Sequence, residues 1–594
     1  MSDIISGARD FLYGLRLGDT DGFLSYITLV IRYTLPVLAL VVAARCAISL
    51  LRGERDSERW GYLSLPNGTR IQLEHWENII GRAGDADVLM AYPSLSRSHA
   101  AVIRDSAGLW RVYDIGSKGG VRVNGSKTEP GEGRPVKSGD LIDLGMVQLV
   151  FVASDSEGEI EMARERRRPG REIRPGATLV FLTEFVLLLG VQMCISKADA
   201  LTAAVPIAFA ALIAAMWFCY ALTRAIGRVG FEIETAAFFL CSVGLSVAAS
   251  SAPESLWRQM GFLALGIALY FAVGWFLRDL NRAVRLRWPI GAAGLALLAV
   301  NLLLGDTIFG ARNWLQIGGV SFQPSEFVKI AFVFTGAATL DRLFARRNLV
   351  LFIAYAGSCV LALAMMRDFG SALIFFVAFL VIAFIRSGDI ATVFLSVGAA
   401  VFAGVLAVAA RTHIAARFSS WGHAWENVNA AGGFQQTRAM SAAAGGGLVG
   451  VGAGSGWLKQ IFAADTDLVF GMVCEELGLI VAIIAVVTIA ALAVFAVRSA
   501  AGARSSYYII GACAAASIFV FQMSLNVLGS TDILPFTGVT FPFVSRGGSS
   551  LVACWGLLAF IKAADTRQNS SFAIKLPGRR ARRGRGEAGT DAQA

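Results

Sequence analysis

Charged residues are scarce in this chain. Only 16% of its 594 residues are Asp, Glu, Lys or Arg, whereas 55% are hydrophobic, and the mean hydropathy is +0.60. Because soluble domains carry about a quarter charged residues, this composition excludes an ordinary soluble protein. Long apolar runs dominate instead, and a run of about 20 apolar residues crosses a bilayer as a helix. The sequence therefore predicts a polytopic α-helical membrane protein.

Histidine and cysteine are not arranged as metal or disulfide chemistry requires. The four histidines are scattered, and the eight cysteines lie almost entirely within apolar runs. This pattern excludes a zinc site and a disulfide framework. The N-terminus also lacks a small-residue cleavage site after a short apolar core, so we expect no removable signal peptide.

The net charge of +10 comes from Lys and Arg in the loops between apolar runs and in the C-terminal tail. The tail carries Arg579, Arg580, Arg582, Arg583 and Arg585. Cytoplasmic loops of membrane proteins are rich in basic residues, and a basic tail beside a membrane attracts anionic lipid. We therefore expect membrane lipids, and no nucleic acid, as its partners.

The apolar runs predict the topology. The first, at 23–51, contains Arg32 and Arg45, which must snorkel to opposite faces if it spans. After a polar insert and a basic linker, twelve more follow at 177–197, 201–223, 235–251, 259–277, 288–304, 326–344, 349–366, 370–385, 391–410, 472–497, 507–529 and 547–563. If the linker is cytoplasmic, every loop on its side contains basic residues. The insert and the tail are thus expected in the cytoplasm, with the long loops 411–469 and 531–550 on the outer side.

The polar insert has strand-length apolar runs separated by turn residues, which predicts a small β-sandwich. It contains, in order, Gly81-Arg82, Ser96-Arg97-Ser98-His99, Asp114-Ile115-Gly116-Ser117 and Val123-Asn124-Gly125. In this order and spacing the motifs resemble a forkhead-associated (FHA) domain over about 61–152. The resemblance implies binding of a Ser/Thr-phosphorylated protein, with Arg82 and Ser96 on the phosphate, Arg97 on the peptide and His99 bracing the loop. A guanidinium and a hydroxyl on turns suit a dianionic phosphate.

One departure from the FHA pattern leaves an alternative open. Relatives place Thr-Asn after the position of Ser117, whereas this chain has Lys118-Gly119. The amide that usually grips the peptide backbone is absent. An interaction domain that does not depend on phosphate is the other interpretation.

Four further motifs lie in the last ten apolar runs and the loops between them. They are Gly310-Ala311-Arg312-Asn313-Trp314-Leu315 with Phe322-Gln323-Pro324-Ser325-Glu326-Phe327-Val328-Lys329; Arg367-Asp368-Phe369-Gly370; Gly433-Phe434-Gln435 with 445–452, Thr466-Asp467-Leu468-Val469-Phe470 and Glu475-Glu476-Leu477-Gly478; and Gln522, Asn526, Leu534-Pro535 and Pro542-Phe543-Val544-Ser545-Arg546-Gly547-Gly548-Ser549-Ser550. Their order and their place in the topology resemble the shape, elongation, division and sporulation (SEDS) family, which includes FtsW, RodA and SpoVE. Arg367 stands where relatives usually have Pro, and Asp465 where they have His.

The two resemblances divide the chain into six segments. These are an N-terminal membrane anchor (1–59), a cytoplasmic FHA-like domain (60–153), a basic linker (154–176), two extra transmembrane helices (177–230), the SEDS membrane domain (231–565) and a basic cytoplasmic tail (566–594).

The SEDS resemblance implies a peptidoglycan glycosyltransferase that polymerises lipid II at the outer membrane face. The acceptor hydroxyl attacks the donor's anomeric carbon and a polyprenyl pyrophosphate leaves, which requires a base and positive charge. The resemblance places the catalytic carboxylate at Asp467, where partial desolvation would raise its pKa. The alternative role of Asp467 is to cap the helix that begins near Leu468.

The same resemblance and the outer-face position nominate a set of substrate-binding residues. They are Arg312, Gln323, Glu326, Lys329, Gln435, Lys459, Glu475, Ser545 and Arg546. Arg417 and Arg438 are the other cations expected on that face. Glu326 and Lys329 can pair on one helix, so a structural role is equally open. Glu475 and Glu476 lie in an apolar run, where carboxyls normally face the bundle interior.

No required cofactor is indicated, but Asp465 and Asp467 are close enough in sequence to share a proton or bind a divalent cation such as Mg²⁺ or Mn²⁺. The resemblance also implies a class B penicillin-binding protein, a transpeptidase, as a partner. A lipid II flippase and a non-catalytic scaffold are the alternatives. A transporter should show charged or broken-helix features at the membrane midplane, whereas here the polar motifs cluster at the outer side.

Overall fold

The computed structural model describes residues 21–52, 60–84, 86–105, 108–154, 174–197, 202–308, 311–318, 320–339, 345–387, 390–391, 393–399, 401, 421–429, 433–500, 503, 505–567 and 570–572. The basic linker at 164–171, Arg417 and the five tail arginines between 579 and 585 lie outside these residues.

Helices make up most of the described chain. They are α1 (Asp21–Arg52), α2 (Pro175–Ser196), α3 (Ala204–Ala225), α4 (Glu232–Ser251), α5 (Leu256–Phe276), α6 (Leu280–Leu304), α7 (Pro324–Thr339), α8 (Ala345–Met365), α9 (Phe369–Ser387), α10 (Phe434–Gly446), α11 (Val469–Ala500), α12 (Ser506–Ser530) and α13 (Gly548–Ala564). Ten of the described helices, α1 to α6, α8, α9, α11 and α12, are long and apolar enough to cross a membrane. The predicted helical membrane fold is therefore confirmed, while most of the run predicted at 391–410 lies outside the described residues.

The insert forms the predicted β-sandwich. Its strands are β1 (Gly61–Ser64), β2 (Arg70–Leu73), β3 (Glu77–Gly81), β4 (Val88–Leu89), β5 (Ala100–Arg104), β6 (Trp110–Asp114), β7 (Val121–Val123), β8 (Ser126–Lys127), β9 (Gly133–Val136), β10 (Leu141–Leu144) and β11 (Val147–Ala153). One sheet has the order β2-β1-β11-β10-β7-β8 and the other β4-β3-β5-β6-β9. Alternate residues of these strands are buried between the sheets, as the period of two in a strand requires.

Helix α4 forms the centre of the bundle and is buried along its whole span. It packs against α1, α2, α3, α5 and α11. Arg45 of α1 donates to Thr178 Oγ1 of α2 at 3.1 Å and lies over the Phe181 ring, so this arginine is satisfied by its helical neighbour. The two carboxylates in the first turn of α4, Glu232 and Glu234, are buried with the rest of the helix.

Two elements in the predicted loops were not anticipated from the sequence. A three-stranded sheet of β12 (Asp306–Ile308), β13 (Ala311–Ile317) and β14 (Val320–Phe322) precedes α7. Helix α10 lies within the long loop 411–469, where its alanines favour helix and Gly447, at φ +59°, ends it. Helix α11 is also interrupted, because Gly478 has φ +90° and breaks the helical path.

The β-sandwich contacts the end of the bundle where α11 ends and α12 begins. The Glu77 carboxylate accepts hydrogen bonds from the hydroxyls of Ser505, at 2.7 Å, and Ser506. The His75 ring bonds the Ala503 carbonyl at 2.9 Å, and Leu280 of α6 packs against the sandwich core. We call this the sandwich end. The opposite end, where α11 begins beside Asp467, is called the far end.

Candidate functional site

The backbone at Thr466 and Asp467 is fixed from two other parts of the chain. Asn526 of α12 donates through Nδ2 to the Asp467 carbonyl at 3.0 Å and to the Val539 carbonyl at 2.8 Å. Ser545 donates to the Thr466 carbonyl at 2.6 Å and accepts from the Phe541 amide. Both side chains are buried. The partly buried Asp467 is therefore held on a rigid frame just before α11 begins.

A polar cavity, open to solvent at its mouth, lies beside this frame. Its lining residues are Ala311, Asn313, Gln323, Glu326, Arg367, Asp368, Phe369, Gly370, Ser371, Ile374, Gln522, Thr537, Gly538, Val539 and Thr540. A Cβ atom on Gly538 would lie 3.0 Å from Asp467 Oδ2, so the carboxylate abuts the bare Cα of a cavity-lining glycine. Gln323 and Glu326 of the predicted set line this cavity, and Asp467 adjoins its wall at Gly538.

Glu326 and Lys329 form a buried ion pair in the cavity wall. Their side chains are 2.7 Å apart, and both are almost fully buried. The predicted i,i+3 pairing is present. A buried pair of this kind fixes the local charge, since neither partner can be removed without leaving the other uncompensated.

Three cavity-lining side chains were not among the predicted site residues although they belong to the quoted motifs. Gln522 is 1% exposed, and its amide nitrogen has no hydrogen-bond partner among the described residues. Asp368 accepts from the amide and hydroxyl of Ser371 and so caps α9. Arg367 has φ +61°, a conformation that the proline expected at this position cannot adopt. The replacement therefore changes the backbone and adds a cation to the cavity.

Asp465 is not one of the residues that line the cavity, and other groups engage it. Its carboxylate is 2.5 Å from Arg546 Nε and accepts from the Ser251 hydroxyl at 2.7 Å. The Arg546 amide also donates to the Asp465 carbonyl. Among the described residues, no three His, Cys, Asp or Glu side chains gather as a metal site would require. A cation shared by Asp465 and Asp467 stays a prediction.

The carboxylate of Glu476 holds the glycine-rich segment 447–456, and that of Glu475 holds the two residues that follow the segment. Glu475 accepts from the amides of Trp457 and Leu458 at 2.8 and 3.0 Å. Glu476 accepts from the Gly454 amide at 2.8 Å and from the Ser250 hydroxyl at 2.5 Å. Because both oxygens of Glu475 accept from backbone amides, this residue positions the chain around Trp457, and its contact with substrate stays a prediction.

The other nominated residues lie outside the cavity lining. Arg312 is exposed and donates to the Leu302 carbonyl, although its neighbours 311 and 313 line the cavity. Gln435 donates to the Phe462 carbonyl at 2.9 Å, and Lys459 donates to the Gly454 carbonyl at 2.6 Å. Arg438 donates to the Val428 carbonyl and stacks on the Phe434 ring, an arrangement that stabilises the start of α10.

The sandwich brings its predicted peptide-binding residues onto adjoining loops. The Arg82 amide donates to the Ser96 carbonyl, which joins the loop after β3 to the loop before β5. His99 is fully buried, accepts from the Ser96 amide at 3.1 Å and bonds the Gly120 carbonyl. It thus braces the loop as the resemblance implied. The backbone amide of the exposed Lys118 donates to Ser96 Oγ at 3.1 Å, which joins the loop of Lys118 to the loop of Ser96.

Comparison with known proteins assigns both parts. The FtsW, RodA and SpoVE family model, described as a cell cycle protein, matches residues 180–570, and an FHA domain model matches 78–145. The chain is 30% identical over 328 residues to the peptidoglycan glycosyltransferase RodA of Mycobacterium tuberculosis H37Rv, covering 51% of this chain and 69% of the relative. It is 29% identical over 307 residues to stage V sporulation protein E of Bacillus subtilis, covering 50% and 82%.

A solved structure of RodA from Thermus thermophilus matches at 25% identity over 56% of this chain and 95% of the other, with a TM-score of 0.42. The FtsW/RodA/SpoVE model alone accounts for well over half of the sequence. The chain belongs to the FtsW/RodA/SpoVE family and carries an FHA domain on the N-terminal side of its membrane bundle.

Proposed function

We propose that this protein is a peptidoglycan glycosyltransferase that polymerises lipid II at the outer face of the bacterial cytoplasmic membrane. The observation that carries the proposal is the Asp467 carboxylate, held beside a polar cavity at the far end of the bundle. The family membership and the names of the similar RodA proteins support the reaction class.

The arrangement supports a base-assisted displacement. Asp467 takes the proton from the acceptor sugar hydroxyl as its oxygen attacks the anomeric carbon of the donor. The bond from that carbon to the pyrophosphate breaks, and the electron pair leaves with the polyprenyl pyrophosphate. The Gln522 amide and the Arg367 guanidinium are donors at the cavity that can stabilise the developing charge.

The orientation follows from the family chemistry and the helix directions. Helix α11 runs from Asp467 to the sandwich end over 32 residues, which is long enough to cross the bilayer. If Asp467 faces the outer side, where lipid II is polymerised, the FHA domain and the tail lie in the cytoplasm. The basic loops on the sandwich side support this orientation.

We further propose that a phosphopeptide bound to the FHA domain regulates this enzyme. Strand β3 carries the bundle contact of Glu77 at one end and leads into Arg82 at the other. A peptide bound at Arg82, Ser96 and Arg97 therefore acts on a strand already joined to α12. By the same family resemblance, we expect a class B penicillin-binding protein to work beside the bundle.

The first experiment is lipid II polymerisation by the purified protein with its cognate transpeptidase, comparing the parent with Asp467→Asn. A loss of about 10²–10⁴-fold is expected if Asp467 is the base. Asp306→Asn is the matched control, because Asp306 is an exposed carboxylate at the same end.

Three other outcomes separate the alternatives. Equal polymer from Asp467→Asn and the parent would remove Asp467 as the base. Lipid II translocation in vesicles without polymer would favour the flippase. No polymer and no translocation from a folded parent that still binds its partner would favour the scaffold.

A further inference from the structure

Helix α2, predicted as an extra helix beside the SEDS domain, ends against the glycine-rich segment 447–456. A Cβ atom on Gly452 would lie 2.6 Å from Gln192 Nε2, and one on Gly454 would clash with Ser196 of the last turn. Gly452 and Gly454 have φ +114° and +82°. Side chains of α2 therefore pack directly on the bare backbone of this segment.

Lys197 at the end of α2 binds the end of α4. Its ammonium donates to the Ser250 carbonyl at 2.9 Å. The Ser250 hydroxyl donates to Glu476, and the Ser251 hydroxyl donates to Asp465 at 2.7 Å. These two serines lie between the glycine-rich segment and the frame that carries Asp467. The cation that follows α2 thus holds a junction of the far-end site.

We propose that Lys197 is a positioning residue for glycosyl transfer, acting through Ser250 and Ser251 on Glu476 and Asp465. The inference rests on the proposed function and assigns α2 a role in it. Lys197 touches the backbone of α4 and is not one of the residues that line the cavity beside Asp467.

The charge of Lys197 matters as well as its hydrogen bond. Three charged side chains face the ammonium: Lys459, which follows the glycine-rich segment, Glu476 of α11 and Glu254 of the turn after α4. Burial is the main cause that lowers the pKa of Lys197, and Lys459 lowers it further, while the two glutamates oppose the shift. The ammonium therefore loses its proton at a lower pH than an ordinary lysine. Neutral lysine leaves the buried Glu476 with less compensating charge.

Two substitutions at Lys197 test the proposal in the full-length protein. Lys197→Met keeps the chain length but removes the donor, and we expect kcat to fall by about tenfold with a smaller change in KM. Lys197→Arg keeps the charge at every accessible pH. It should restore most of kcat and move the alkaline limb of the pH–rate profile to higher pH. Arg174→Met is the control, because Arg174 is an exposed cation at the other end of α2.

Hydrogen–deuterium exchange gives a readout that does not need activity. Segment 447–456 should exchange faster in Lys197→Met than in the parent. Unchanged exchange, or an active Lys197→Met enzyme with the parent's kcat and alkaline limb, overturns the proposal. A parent that makes no polymer would overturn the proposed function instead, and the exchange comparison would still decide whether Lys197 holds this segment.

Discussion

The two candidate sites of this protein are built in opposite ways. The peptide face of the sandwich places Arg82, Ser96 and Lys118 on neighbouring loops of one small domain, joined by backbone bonds. The far-end site joins segments that are distant in the chain, with Asn526 bonding Asp467 across 59 residues. The first site is exposed and the second is braced by buried polar groups. Substitutions should therefore affect binding alone in the sandwich, but stability and activity together in the bundle.

The largest expected effect is at the buried Glu326–Lys329 pair. Lys329→Met leaves an uncompensated carboxylate in the cavity wall and should destabilise the protein by about 3–5 kcal/mol. The change in stability is measured by thermal unfolding in detergent, with the loss of folded protein recorded as the temperature rises. The double variant Glu326→Gln with Lys329→Met removes both charges and should recover part of the stability. A single variant as stable as the parent would mean that the pair is reached by water.

Asn526→Ala should give the next largest effect. It removes the donor that holds the Asp467 and Val539 carbonyls, so Asp467 is no longer fixed. We expect polymerisation to fall by about 10–100-fold, with a stability loss of about 1–3 kcal/mol. Ser524→Ala is the control, because Ser524 on the same helix bonds only its own helix backbone at Val520. If the two variants polymerise lipid II at equal rates, Asn526 is not needed to position Asp467.

The contrast also explains what the sequence could predict. The helices followed from hydropathy, and the sandwich followed from turns and strand-length runs. His99 was assigned correctly as a brace because its partners lie in the same small domain. Motif spacing predicts contacts of this kind, because the bonded groups belong to motifs that lie close together in one small domain.

The bracing of the far-end site could not be predicted in the same way. Asn526 and Ser545 bond backbone carbonyls, which every residue offers, so no side-chain pattern reveals the partner. Glu475 is predicted to bind substrate, and the structure adds that its carboxylate accepts from the Trp457 amide just after the glycine-rich segment. The left-handed conformation of Arg367 likewise depends on the loop around it. Residue type indicated that these positions matter, but only packing gave their roles.

Arg82→Ala sharpens the comparison from the exposed side. Removing one charged hydrogen-bonding group should weaken binding of a phosphothreonine peptide by about 10–100-fold. Polymerisation without peptide should stay at the parent's rate, because Arg82 contacts no part of the far-end site. Calorimetric titration with matched phosphorylated and unphosphorylated peptides measures the affinity. Arg111→Ala, an exposed arginine on β6, is the control.

Two results would contradict this expectation. Equal affinity for both peptide forms would favour the phosphate-independent interpretation of Lys118-Gly119. A fall in basal polymerisation in Arg82→Ala would show that the sandwich face and the enzyme are coupled without peptide. Glu77→Gln then identifies the route, since it weakens the contact with Ser505 and Ser506 and should abolish that coupling.

The smallest expected effect lies in the turn after β7. Asn124 and Gly125 have positive φ, and Asp140 accepts from the Asn124 amide at 3.0 Å and from the Lys137 amide at 2.7 Å. These two hydrogen bonds lower the pKa of Asp140 below its usual value, and the bond from Asn124 has the larger effect. A lowered carboxyl pKa gives stability that is present above the unfolded pKa and is lost as pH falls through the folded one.

Asp140→Asn should therefore destabilise the sandwich at neutral pH by no more than about 0.5 kcal/mol, because Asp140 is largely open to solvent screening. The difference from the parent should begin to shrink as the pH falls below about 4, where the unfolded parent starts to bind a proton. It should vanish only below the lowered pKa of Asp140 in the folded parent. Hydrogen exchange of the β10 and β11 amides in the full-length protein measures both effects. A difference that stays constant with pH would mean that the shape of the acceptor matters and its charge does not. The sandwich turn would then be held by geometry alone, as the carbonyls around Asp467 are held by Asn526.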